Sequence, residues 1–149
     1  MAAAAWRLYA KAKEYIGDGT IQLGTQGLKM ALFRGSSNVS TVTLSTLVEL
    51  SVQASGGAYV AGGKFLVPSA GTWTLAGSTV TLDYTSLGIT FTASGSNINA
   101  VQYAVIYKDG ASASAKLLCW SKLSSSPFDV SDPNTLTVLP AATGVFTLT

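Results

Sequence analysis

The chain has 149 residues, 48% of them hydrophobic and only 11% charged, with nine basic and seven acidic side chains, a net charge of +2 and no histidine. That length makes one domain, able to bury roughly two thirds of its unfolded surface. The missing histidine excludes Ser-His-Asp and Cys-His catalysis and every zinc site built on imidazole, and outside the first turns the scattered charge shows no basic cluster of the kind usual in nucleic-acid binding.

Residues 2–16 read as the only helix. Projected at about 100° per residue, Arg7, Lys11 and Glu14 fall in a narrow polar wedge, while Trp6, Leu8, Tyr9, Ala12, Tyr15 and Ile16 take most of the remainder. Ala2, Ala3, Ala4 and Ala5 add intrinsic propensity, and Gly17 is a natural C-terminal stop. So wide an apolar face has to be covered, either by the chain's own sheet or by a neighbouring subunit. This divides the chain into a helical segment, 1–17, and a β domain, 18–149.

From Gly17-Asp18-Gly19 onward the pattern is β. Short strands are predicted at 20–23, 28–33, 41–44 and 58–60, and 45–50 reads as a single helical turn capped by Ser45, because adjacent apolar residues break the alternation. Residues 72–75, 80–84 and 89–92 alternate Thr with large apolar side chains, as half-exposed strands do, and 76–78 closes the first two into a hairpin. Val101, Tyr103, Val105 and Tyr107 alternate with Ala100, Gln102, Ala104 and Ile106, so both faces of this strand are largely apolar and it belongs inside the fold. Lys108-Asp109-Gly110 is turn chemistry, and 116–123 returns as a second strand with Leu118 and Trp120 on one face and Leu117 and Cys119 on the other. Strands at 135–139 and 145–148 close the chain. About eight to ten short strands with frequent turns mean a sandwich or jelly roll. The expected fold is all-β: a jelly-roll-like β-sandwich with one N-terminal α-helix, although an immunoglobulin-like sandwich shares the alternation.

Charge is far below the roughly 25% of an ordinary soluble protein, and Ser, Thr, Gly and Ala fill the deficit. Such a surface sheds little charge hydration on contact, which suits a packed or assembled protein as well as a small free β domain. Cys119 is alone, so no internal disulfide forms and a buried thiol is expected. The opening M-A-A-A-A-W-R-L-Y is not patterned as a secretory signal, and no stretch reaches the roughly 18 apolar residues of a membrane span. Both point to a reducing cytoplasm, or to a particle assembled there.

Glu49, Asp83, Asp109, Asp129 and Asp132 are the carboxylates from which a sugar-hydrolysing pair would have to come, but Asp109 and Asp132 stand in turns and Asp83 in an exposed strand phase. Gly17-Asp18-Gly19 lacks the third glycine of a phosphate loop and follows a helix rather than a strand. Asn38-Val39-Ser40 is a chance glycosylation match, and no segment has calcium-loop spacing. A carbohydrate-binding module would need an aromatic platform from Tyr59, Trp73, Tyr84 or Trp120. Tyr84 and Trp120 share core phase with Leu82 and Leu118, and Trp73 shares a face with Leu75, which argues for burial. No catalytic residue, cofactor or metal site is expected.

Three pieces together resemble a group of small structural proteins of tailed bacteriophages. They are Ala5-Trp6-Arg7-Leu8-Tyr9 leading to Ile16-Gly17-Asp18-Gly19-Thr20-Ile21, then Leu28-Lys29-Met30-Ala31-Leu32-Phe33, and Ala104-Val105-Ile106-Tyr107. The closing Gly144-Val145-Phe146-Thr147-Leu148 resembles the same group's final strand. The resemblance implies a virion component, foremost a capsid cement (decoration) protein: non-enzymatic, made in the bacterial host cytoplasm and carried on the outside of the head. Its implied partners are the major capsid protein and copies of itself as a homo-oligomer, with no nucleic acid, membrane or cofactor. In that picture Trp6, Arg7, Tyr9 and Lys11 are the candidate inter-subunit contacts. A tail role, as adaptor, tube or receptor- or carbohydrate-binding sandwich, is the alternative.

Overall fold

A computed structural model of the chain describes residues 4–66, 72–84, 88–111, 113–140 and 144–148. Within them the fold is mostly β, with a single α-helix near the N-terminus. The strands are β1 (Arg7–Leu8), β2 (Leu28–Arg34), β3 (Lys64–Phe65), β4 (Thr72–Ala76), β5 (Thr79–Asp83), β6 (Ile89–Thr92), β7 (Ile98–Lys108), β8 (Leu117–Lys122), β9 (Phe128–Val130), β10 (Thr135–Val138) and β11 (Phe146–Leu148), and the helix is α1 (Ala10–Gly17). No helix among the described residues is long and apolar enough to cross a membrane.

Strand β7 organises the whole. Apolar on both faces, it is buried from Ala104 to Tyr107 and lies between β2 and β8 in the largest sheet, ordered β1-β8-β7-β2-β3, with β9 also pairing β7. Val105 faces Ala31 on one side and Trp120 on the other, and Ile106 faces Met30 and Cys119. This is the expected central hairpin, and it places Cys119 wholly out of solvent. Two smaller units, β10-β6 and β11-β5-β4, complete the strands, all pairings being antiparallel and the sheets open. The hairpin of β4 and β5 falls where the Thr-apolar alternation predicts it.

The N-terminal helix starts later than predicted, residues 2 and 3 of that prediction lying outside the described residues. Residues 4–9 are extended, and α1 starts only at Ala10. Tertiary pairing overrides the alanine propensity here: Arg7 and Leu8 add an edge to β8 opposite Trp120 and Cys119, Tyr9 N–H donates to the Leu118 carbonyl, and Ala10 N–H donates to that of Val42. Along this path both Trp6 and Tyr9 are buried.

Three predicted short strands are turns and loops. At 20–23 the Asp18 carboxylate accepts from Thr20 N–H, while Ile21 N–H donates to Tyr15 and its side chain is buried under the helix end. At 58–60 a turn closes from Tyr59 N–H to the Gly56 carbonyl with Ala58 at φ +59°, and 41–44 follows the turn hydrogen bonds from Thr41 to Asn38 and from Leu44 to Thr41. The helical turn expected at 45–50 is a single 3₁₀ turn, Leu47–Glu49, capped by Thr46 rather than Ser45.

Candidate interaction surfaces

Trp6, Arg7 and Tyr9 lie on the N-terminal strap and Lys11 in the first turn of α1, and the four face different ways. Tyr9 is wholly buried, its hydroxyl donating to the Val39 carbonyl at 2.9 Å, and burial pushes its ionisation far above the usual phenol range. Trp6 is buried beside it. Arg7 is exposed, with its guanidinium 5.5 Å from the Trp120 ring centre, and that ring meets Tyr103 edge-on at 6.0 Å. Lys11 pairs with Glu14 one helical turn on at 2.5 Å, and that hydrogen bond raises its pKa. The strap and α1 therefore offer Arg7 and Lys11 outward, while Trp6 and Tyr9 anchor the strap from beneath.

Three of the five carboxylates singled out above, Glu49, Asp83 and Asp129, serve the backbone. Glu49 accepts from the N–H and hydroxyl of both Ser45 and Thr46, and these bonds hold its pKa down to about 2. Asp83 accepts from Tyr84 N–H, Asp129 from Ala100 N–H at a bulge in β7, and Asp109 pairs with Lys29 at 2.8 Å. Asp132 lies exposed beside its cis bond to Pro133. Among the described residues no group of three or more His, Cys, Asp or Glu side chains could hold a metal ion.

The aromatic residues divide. Tyr84 and Trp120 are buried, as their phase predicts. Tyr59 lies 5.8 Å from the Phe91 ring, and its hydroxyl accepts from Leu32 N–H and the Gln53 amide. These two rings, with Val60, Lys64, Thr92 and Ile98, border an apolar pocket of about 220 Å³. Lys64 reaches across its rim to the Thr90 carbonyl, with Nζ 5.8 Å from the Phe91 ring centre.

Trp73 departs from expectation. Cross-strand pairing sets Trp73, Leu82 and Phe146 in one row and Leu75 and Val80 in the next, on the same face, while Thr72, Thr74, Thr81, Asp83 and Thr147 occupy the other face. Leu82 is 1% exposed and Trp73 packs at 5.9 Å on Phe146, but Leu75 is 69% exposed. The apolar face thus begins in the core and runs out into solvent toward the β4–β5 turn, so Trp73 is only half-buried on the face it shares with Leu75. No alternation rule signals this, because period two says which residues share a face and not how far the fold covers it.

Comparison of the chain with protein-family models, with curated proteins and with solved structures finds no match.

Proposed function

We propose that the chain is a non-enzymatic structural component of a tailed-bacteriophage virion, a capsid cement (decoration) protein that binds the outside of the head and bridges capsomers. The resemblance of the N-terminal, β2, β7 and C-terminal segments to phage structural proteins suggests the class. One observation carries the mechanism: large apolar side chains, among them Val48, Val60, Phe65 and Leu75, stand exposed on a surface of unusually low charge, around a core built on β2, β7 and β8. Scattered apolar contacts without charge desolvation are individually weak. Repeated by shell symmetry and joined through a rigid body, they add by multivalency, which is how a thin outer layer resists pressure from within.

In this reading the smaller units β10-β6 and β11-β5-β4 form the second layer of a jelly-roll-like sandwich opposite the large sheet. The partners are the major capsid protein and further copies of the chain. Arg7 and Lys11 make the outward contacts of the strap and α1, held in place by Trp6 and Tyr9. A test by deleting residues 1–16 would remove core residues as well, so the strap is better tested by Arg7→Glu with Lys11→Glu, which should weaken head attachment while leaving the melting temperature within a few degrees. Unchanged attachment would take the strap out of the interface.

The aromatic-floored pocket at Tyr59 and Phe91 favours the second reading, a receptor-binding tail part. Quantifying the chain against the major capsid protein in purified virions and in tail-free heads separates the two. A near-stoichiometric band that stays with heads supports cement, and a minor band that leaves with tails supports the tail role. Absence from particles overturns both.

A further inference from the structure

We propose that β4 is a self-association edge, along which two copies of the chain pair antiparallel about a two-fold axis through Thr74. The inference deepens the assembly reading above by naming a second copy as the partner and rests on it for that choice, but its geometry comes from the strand alone.

Sheet edges expose unpaired N–H and C=O groups, and proteins blunt them with charge, proline, bulges or brevity. The end strands of the large sheet follow that rule: β1 and β3 are two residues each and carry Arg7 and Lys64. Strand β4 does not. Its five residues, Thr-Trp-Thr-Leu-Ala, hold no charge and no proline, and their register with β5 runs without a bulge. It ends its sheet, and among the described residues no backbone hydrogen bond reaches its outer side, though the Gly24 turn comes close at Trp73, where an added Cβ would lie 3.2 Å from Trp73 Cβ and 4.0 Å from its nitrogen.

The sequence of β4 is complementary to itself. Centred on Thr74, an antiparallel pair sets Thr74 opposite Thr74, Trp73 opposite the second copy's Leu75, and Thr72 opposite the second copy's Ala76. All five residues pair, and every apolar residue meets an apolar one. Centring on Trp73 or Leu75 leaves one of those two unpaired, and a shift of one residue turns the two apolar faces to opposite sides of the joint sheet. With Thr74 at the axis, the row Phe146, Leu82, Trp73 of one copy continues into Leu75 and Val80 of the other, and the reverse row does the same. Each copy's exposed Leu75 thereby extends the row that runs, through half-buried Trp73, to the buried Leu82 of its partner. The single charge on β4 and β5 is Asp83, which sits on the inner strand and the opposite face, so no like charges meet at the seam. A two-fold pairing of identical patches is also the commonest way that identical chains associate.

Cysteine pairs read the register directly, since Cys119 is buried and does not compete. Facing Cα atoms in such a pair are about 4.5–5.5 Å apart, within disulfide range. On mild oxidation of the purified full chain, Thr74→Cys should give a covalent dimer alone. Thr72→Cys and Ala76→Cys should each give at least tenfold less, and their equimolar mixture should give the heterodimer. A Leu75→Lys variant should weaken dimerisation at least tenfold in sedimentation at an unchanged melting temperature. Equal cross-linking at all three positions would mean unregistered collision and overturn the proposal, as would a Thr74→Cys chain that stays monomeric or a Leu75→Lys chain that associates like the parent. The virion reading fails separately: a registered dimer from a chain absent from particles keeps this proposal and discards that one, and a head-bound chain with no cross-link does the reverse.

Discussion

Replacing Gly63 by alanine measures how closely the strand bearing Lys64 and Phe65 is held against the centre of the fold. Gly63 has φ +70°, and an added Cβ would overlap the Met30 carbonyl oxygen and lie 2.7 Å from the Met30 carbonyl carbon and 2.8 Å from Ala31 Cα. Met30 and Ala31 are interior to β2, paired with Ile106 and Val105, so they have no room to retreat. Carbon atoms sit about 3.5 Å apart at contact, so β3 must move out by roughly 0.8 Å or more. That movement stretches the pairing of Lys64 and Phe65 with Met30 and Lys29, and the bond from Leu66 N–H to the Leu28 carbonyl at 2.9 Å. Two weakened hydrogen bonds at about 1 kcal/mol each, with about 1 kcal/mol for a left-handed alanine, sum to about 3 kcal/mol. In a domain of this size that lowers the melting temperature by about 6–12 °C. Gly77, at the β4–β5 turn, is the matched control: φ is +62° and nothing lies within 4 Å of the added Cβ, so Gly77→Ala should lose only the backbone share, about 1 kcal/mol. Thermal and urea unfolding of both variants decide the matter. Equal losses at the two sites would refute the claim that β3 is pressed against β2.

Three further outcomes follow from the same geometry. Glu49 has its folded pKa lowered to about 2, below the unfolded value of about 4.3, so its contribution is present above that unfolded value and is lost as pH falls toward 2. Glu49→Gln should therefore flatten the acid side of the stability curve, read as urea midpoint against pH, and an unchanged acid slope would deny the carboxylate its capping role. The Trp6 indole N–H is buried without an acceptor among the described residues, so Trp6→Phe removes an unpaired donor and should cost less than about 1.5 kcal/mol, whereas Trp6→Ala should cost about 3 kcal/mol by denaturant unfolding. Cys119 is fully buried and burial pushes its thiol up, so a thiol reagent should label native protein only at the rate of opening and unfolded protein at once; immediate labelling of the native chain would contradict the packing of β8.

The parts of the fold legible from sequence are those where one signal dominates. The alternation through β7 and β8 and the Thr-apolar rhythm of β4, β5 and β6 place strands where the structure has them, since burial on a pleated surface has no other period. The N-terminus misleads because Ala2, Ala3, Ala4 and Ala5 speak for a helix locally, while the decisive interactions are with Leu118 and Val42, far away in the chain. Two of the strands predicted at 20–23, 41–44 and 58–60 hold large apolar residues for a related reason: Ile21 is buried where the chain turns back to bond Tyr15, and Tyr59 borders a pocket rather than pairing in a ladder. Of the four proposed contact residues, Trp6 and Tyr9 are buried and Arg7 and Lys11 reach outward, a division that the helix assumed from amphipathicity does not give because α1 starts only at Ala10.

The most informative surface is invisible in the sequence for a related reason. Trp73 and Leu75 share a face in both readings, and only the structure shows that this face outruns its cover. A face half in the core and half in water is a poor compromise for a free molecule, since the exposed half gains nothing from burial and the uncharged edge invites pairing. It becomes reasonable when the missing cover is another copy. Natural edges are defended where pairing is harmful; β1 and β3 are short and charged, whereas the edge strands β4, β6, β10 and β11 carry neither charge nor proline, and β4 is the longest of these. The undefended β4 is then best understood as an edge kept open for its own kind, and the cross-link at Thr74 is where that argument stands or falls.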